Sequence, residues 1–188
     1  MYVLKTNFRG RGFRLIKNRQ QIFKTTIYDG DLYSSSVVIH GDNYEIKQNQ
    51  DKLNIYKNDA KIGLLDLFRK PYSIITLQRT DGTKDFFKLE STNMSHYTLY
   101  SAEEDALVIF NQAWSKMFFF NEFKVKLLSD AYSDEILEEL IYYAGEAIYL
   151  KTWKNEVPEE PSDATRYNFS NFLNDLGSDP FIGFISPL

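Results

Sequence analysis

The chain has no cysteine and only two histidines among 188 residues. Without cysteine there are no disulfides, no thiolate nucleophile, and no Cys-ligated zinc or iron–sulfur site. His40 and His96 stand far apart, and neither has a metal-type partner such as His-x-x-x-His. No cofactor is expected. No run of apolar residues reaches transmembrane length, so no transmembrane segment is expected. Met1–Lys5 leads into polar and basic residues without an apolar core, so no secretory signal is expected either. These features lead to the expectation of a cytoplasmic protein, peripheral to a membrane at most. Acid is also missing from one place. Residues 1–24 hold Lys5, Arg9, Arg11, Arg14, Lys17, Arg19 and Lys24 and no Asp or Glu. Residues 130–188 hold twelve acids against Lys151, Lys154 and Arg166. The net charge of −4 therefore hides a strong asymmetry. The plain reading is that the two ends face each other or are solvated. The sharper one is a basic patch for an anionic partner.

What is present is one long helix pattern. Ser133–Trp153 begins with an N-cap residue and two acids and ends with Lys151 and Lys154, as the helix dipole favours. Ile136, Leu137, Leu140, Ile141, Ala144, Ala147 and Ile148 recur at helical spacing, and Tyr142, Tyr143, Tyr149 and Leu150 cover much of the opposite face. From Leu140 to Leu150 the only charge is Glu146. A helix apolar nearly all round is enclosed by the rest of its fold.

Before it come short strand-like runs at hairpin spacing. Tyr2–Phe8, Phe13–Ile16, Gln21–Tyr28, Ser36–His40, Tyr44–Gln48, Leu53–Lys57 and Lys61–Asp66 form the first group. Ser73–Arg79, Phe86–Glu90, Tyr97–Ser101, Ala106–Asn111, Lys116–Phe120 and Phe123–Leu128 follow. Turn signals include Gly41-Asp42-Asn43, Asn58-Asp59 and Asp81-Gly82. Strands that must cover a helix on all sides do so best as a closed barrel, which leaves no edge. The expected fold class is mainly β with one long helix: an antiparallel closed barrel of about twelve strands around a central hydrophobic helix, spanning residues 1–154. Residues 155–188 read as an acidic, Pro-punctuated linker and a docking tail. Phe169, Phe172, Leu173, Phe181, Ile182, Phe184 and Ile185 put too much apolar surface there to leave in water. The tail docks on its own barrel or, through residues 165–188, on another copy.

Other stretches carry two readings each. Arg9-Gly10-Arg11-Gly12 has the composition of a phosphate-contacting loop, but lacks Walker or dinucleotide glycine spacing; a hairpin turn with exposed arginines is the plainer reading. Asp29-Gly30-Asp31 lacks the later ligands of a calcium loop and reads as a turn. Phe118-Phe119-Phe120 reads as a strand buried on both faces rather than a membrane wedge. Burial of Glu146 raises its pKa unless a cation or hydrogen-bond donors meet it; a buried partner such as a strand Lys or Arg is the plainer reading, and a cavity in which it handles protons the sharper one.

The order of elements resembles the tubby C-terminal-like superfamily, and within it the LURP-one-related and scramblase-like proteins. The likeness runs over about residues 20–153. It lies in Leu53-Asn54-Ile55-Tyr56-Lys57-Asn58-Asp59-Ala60-Lys61-Ile62-Gly63, in Phe86-Phe87-Lys88-Leu89, in Phe123-Lys124-Val125-Lys126, and in Ser133 through Leu150. It implies a twelve-stranded barrel closed around a helix and an association with phosphoinositides and membrane surfaces. It carries over no binding residue, and the residues after the helix depart from the pattern. The expectation is a non-enzymatic module that binds anionic phospholipid headgroups through Arg9, Arg11, Arg14, Lys17, Arg19 and Lys24. The alternatives are a small-ligand or hydrolytic barrel with a cavity near Glu146, and a scaffold that self-associates through its tail. Nucleic acid is not an expected partner of so acidic a chain without a recognised binding motif.

Overall fold

A computed structural model describes residues 1–6, 12–30, 32–49, 52–67, 72–93, 95–113 and 122–153. The chain divides into a compact unit, Met1–Val157, and a second unit, Pro158–Leu188, which lies outside the described residues. The predicted strand Lys116–Phe120, the loop Arg9-Gly10-Arg11 and the apolar tail residues also lie outside them.

Among the described residues the first unit has thirteen strand segments and one helix. The segments are β1 (Tyr2–Thr6), β2 (Phe13–Lys17), β3 (Gln20–Lys24), β4 (Thr26–Asp29), β5 (Tyr33–Ile39), β6 (Asp42–Asn49) and β7 (Lys52–Lys57). They continue as β8 (Ala60–Asp66), β9 (Tyr72–Gln78), β10 (Lys84–Asn93), β11 (His96–Tyr100), β12 (Ala106–Ala113) and β13 (Glu122–Leu127). The helix α1 is Asp134–Trp153. All strands pair antiparallel with their chain neighbours from β4 to β13, and β13 then pairs with β1, which pairs with β2 and β2 with β3. The result is one sheet curled into a nearly closed barrel.

The place where it closes differs from the expected single strand Gln21–Tyr28. β3 pairs with β2, whereas β4 pairs with β5, and only Thr25 separates them. β2 and β5 run the same way, so β3 and β4 form one continuous course of chain that changes partner halfway. Inward Phe23 and Thr25 alternate with exposed Lys24, Thr26 and Tyr28 straight through the change. Thr25 holds the corner: its amide and its hydroxyl both donate to the Phe13 carbonyl, at 2.8 and 3.1 Å. The hydroxyl also accepts from the Phe13 amide at 2.8 Å.

Three tight turns have consecutive residues at positive φ, as two-residue hairpin turns demand. They are Asn18-Arg19 (50° and 71°), His40-Gly41 (52° and 90°) and Asn58-Asp59 (49° and 68°). The second is the Gly41-Asp42-Asn43 signal shifted by one residue. Asp42 and Asn43 belong to β6 and pair with Ile39 and Val38.

Helix α1 starts where expected. The Ser133 carbonyl accepts from the Leu137 amide at 3.0 Å and its hydroxyl from the Ile136 amide at 3.4 Å. Every residue from Leu140 to Leu150 is buried, while Ile136, in the first turn, is exposed. Its partners come from around the sheet. Phe13 of β2 lies against Tyr142 and Tyr149, Phe23 of β3 meets Tyr142 edge-on, and Tyr44 of β6 meets Tyr143. Leu4 of β1 and Phe13 press so close to Gly145 that a Cβ there would sit 2.7 Å from the Phe13 ring. The glycine lets the helix axis approach the wall.

Candidate anion-binding face

Period-two alternation decides which cations look outward. On β1, Tyr2, Leu4 and Thr6 are buried and Val3 and Lys5 half-buried. On β2, Phe13 and Leu15 face the core and Arg14 and Ile16 face out. On β13, Phe123 and Val125 face the core and Lys124 and Lys126 are exposed. Register then decides which of these meet. Lys5 stands opposite Arg14, and Arg14 opposite Lys24. Directly opposed side chains lie about 5 Å apart at Cβ, so the three cations form one row across adjacent strands. On the other side of Lys5 stands Glu122, at 3.2 Å. A second row runs Asn111, Lys124, Val3, Ile16 and Gln21. Lys126, opposite Ile109, lies in a third.

The outer wall β13–β1–β2–β3 thus carries Lys5, Arg14, Lys24, Lys124 and Lys126 against Glu122 alone, among the described residues. Arg14, Lys24, Lys124 and Lys126 form no ion pair there, and Arg14 Nε is buried without a hydrogen-bond partner. Like charges in adjacent rows repel one another. An open depression of about 430 Å³ adjoins Lys124 and Lys126, with Met1 and Asn111 in its lining.

The other expected cations go elsewhere. Arg9 and Arg11 lie outside the described residues. Lys17 shares its parity with Phe13 and Leu15, and at the barrel mouth it meets the start of the helix. Its ammonium donates to Asp134 at 2.6 Å, lies 3.8 Å from Glu138, and sits 4.8 Å from the Tyr2 ring centre. The hydrogen bond to Asp134 holds the Lys17 ammonium above the usual lysine range and the Asp134 carboxyl below the usual carboxylate range. Arg19 occupies the exposed Asn18-Arg19 turn, outside the rows. Lys124 and Lys126 were not among the expected site residues, although the pattern Phe123-Lys124-Val125-Lys126 carries the signal.

Two glutamates enter the interior from the helix. Glu138, 3 % exposed, accepts from the Tyr2 hydroxyl at 2.7 Å and pairs with His40 Nε2 at 2.8 Å. Burial first, with Glu138 adding to it, pushes the Tyr2 hydroxyl up to about 12. Beside it Glu139 accepts from the Tyr44 hydroxyl at 2.5 Å and lies 3.5 Å from Lys57. Glu146 is fully buried, and its partner is not the Lys or Arg that its charge calls for. The Tyr33 hydroxyl donates to Oε2, while Oε1 has no hydrogen-bond partner. Burial pushes its carboxyl up to about 7, against smaller opposing effects of Tyr33 and Ser35. The reason is chemical economy: a neutral acid and a phenol hide more cheaply than two ions. Phe13 and Leu4, crowding Gly145 next door, weigh against a ligand chamber at this level of the barrel.

Among the described residues no group of three or more His, Asp or Glu is placed to hold a metal, and no helix is long and apolar enough to cross a membrane. No family model matches this chain, and neither a curated protein nor a solved structure matches it.

Proposed function

We propose that this chain is a non-enzymatic barrel module that docks on anionic phospholipid headgroups through the wall β13–β1–β2–β3. The observation that carries the reading is the row Lys5, Arg14 and Lys24, flanked by Lys124 and Lys126 with one acid among them. The likeness to the tubby C-terminal-like superfamily is part of the proposal, and a helix packed within antiparallel strands supports it. Arg14 suits a phosphate because its planar fork donates two parallel hydrogen bonds. The lysines add diffuse attraction, each basic residue near an anionic leaflet contributing about 1 kcal/mol. Val3, Ile16 and Ile109 interleave the cations with apolar side chains that suit a headgroup boundary. Arg9 and Arg11, which follow β1 in the chain, belong to the proposal by charge alone.

Co-sedimentation with neutral phosphatidylcholine vesicles and with vesicles containing phosphatidylserine tests it, at low and at physiological salt. Binding is expected only to the anionic vesicles, and it weakens as salt rises. Arg14→Ala with Lys24→Ala reduces it by roughly tenfold or more, and Lys124→Ala with Lys126→Ala does likewise. Equal binding to neutral vesicles, or none to either, overturns the proposal.

A further inference from the structure

We propose that Glu146 is a proton-operated latch for the hairpin β4–β5: the neutral acid lets the hairpin close over the helix, and the carboxylate drives it open. The idea is independent of the membrane reading and rests on where this carboxyl sits. Tyr33, which donates to it, opens β5, and Ser35, two residues on, faces the same interior, acts on the same carboxyl and lies 2.9 Å from the Tyr142 hydroxyl. On the other side of β5, Ser35 and Tyr33 stand opposite Ile27 and Asp29 of β4. β4 is the last segment of the sheet, laddered on one side only. The wall over Glu146 therefore borders one of the two ends of the sheet, the other being β3, and end segments held by a single ladder open first.

Among the described residues the groups acting on Glu146 itself are hydroxyls and no cation. Tyr33 and Ser35 come from β5, and Tyr142 and Tyr149 from the helix; Glu45 of β6 is the one charged group that also acts on Tyr142, and it is an acid. Burial, more than Glu146, raises the Tyr33 hydroxyl above the usual phenol range, so Tyr33 remains a donor throughout. The carboxyl's second oxygen has no hydrogen-bond partner and no water-facing surface. Ionisation places an uncompensated charge in this apolar space, and the nearest relief is water admitted under the hairpin. The closed state binds the proton up to about pH 7, whereas an opened state releases it near 4.5. Opening is thus coupled to loss of one proton between those values and to none above them.

Amide exchange of the full chain, corrected for intrinsic rates, reads this directly. Protection of Ser35 and of those β4 amides that bond to β5 should fall about tenfold per pH unit between roughly 5 and 7 and level off above, relative to β12–β13. Glu146→Gln should flatten that dependence. Tyr33→Phe, which removes the donor that favours the carboxylate, should carry the fall to higher pH, and this decides the matter if the glutamine variant does not fold. The proposal is overturned if β4–β5 and β12–β13 respond to pH alike, or if Glu146→Gln retains the wild-type dependence. It is overturned equally if Tyr33→Phe leaves the wild-type window unmoved.

Discussion

Glu138 and Glu146 lie two turns apart on the same helix, and both are out of water. Glu138 sits at the barrel mouth, where Tyr2, Lys17 and His40 reach it from β1, β2 and the turn before β6. Glu146 sits in the middle, where, among the described residues, hydroxyls and no cation meet it. Equal burial therefore has unequal consequences. At the mouth, the Lys17 ammonium, with its head in water, supplies charge at little desolvation cost. In the middle, no long side chain keeps its head wet, and the carboxyl retains its proton instead.

The largest effect should come from the segment that joins the two sites. Leu140, buried between them, should cost about 2–5 kcal/mol when replaced by alanine, a value for cavities in close-packed cores. Chemical denaturation checks it, and a negligible loss would mean that α1 is not enclosed.

The comparison itself is sharpened by pH. Glu146 has a folded value of about 7 against an ordinary 4.5, so the folded state is the better proton binder. Its contribution is complete below about 4.5 and is lost progressively as pH rises to about 7, a total of about 3 kcal/mol. Glu146→Gln should remove that slope and stabilise the protein at pH 8, as urea melts across the range will show. Glu138→Ala should instead destabilise the fold by about 2 kcal/mol at pH 8, because charged hydrogen bonds at the mouth lose their acceptor. If both variants stabilise, the distinction between the two glutamates fails.

Lys17 and Lys24 extend the contrast to the cations. Lys17→Ala should lower the melting temperature and leave anionic-vesicle binding unchanged, since its ammonium is engaged by Asp134. Lys24→Ala should do the reverse. The smallest effect is expected at Arg19, which holds φ at 71° without being glycine. Arg19→Gly should stabilise the hairpin by about 1 kcal/mol and leave vesicle binding almost intact.

Much of this was legible beforehand, for local reasons. The helix declared itself through 3.6-residue periodicity, Ser133 and its flanking charges, and most strand boundaries through alternation and turn residues. The inward parity of Lys17 follows from Phe13 and Leu15, four and two residues before it. The split at Thr25 had no such signal, because the in–out alternation continues across it and only the backbone partner changes. Nor did the partner of Glu146: Tyr33 lies 113 residues away in the chain.

The sequence by itself determined the elements: which stretches are strands, where the helix begins, and which side of each strand is dry. These depend on covalent geometry within a few residues. The tertiary structure decided the neighbours. Lys5, Arg14 and Lys24 share a row because antiparallel register sets them opposite one another. Glu146 keeps a tyrosine instead of a cation because the wall that closes over it is β5. Lateral partners are chosen by hydrogen-bond register between distant segments, and desolvation then sets the charge state that each buried group can hold.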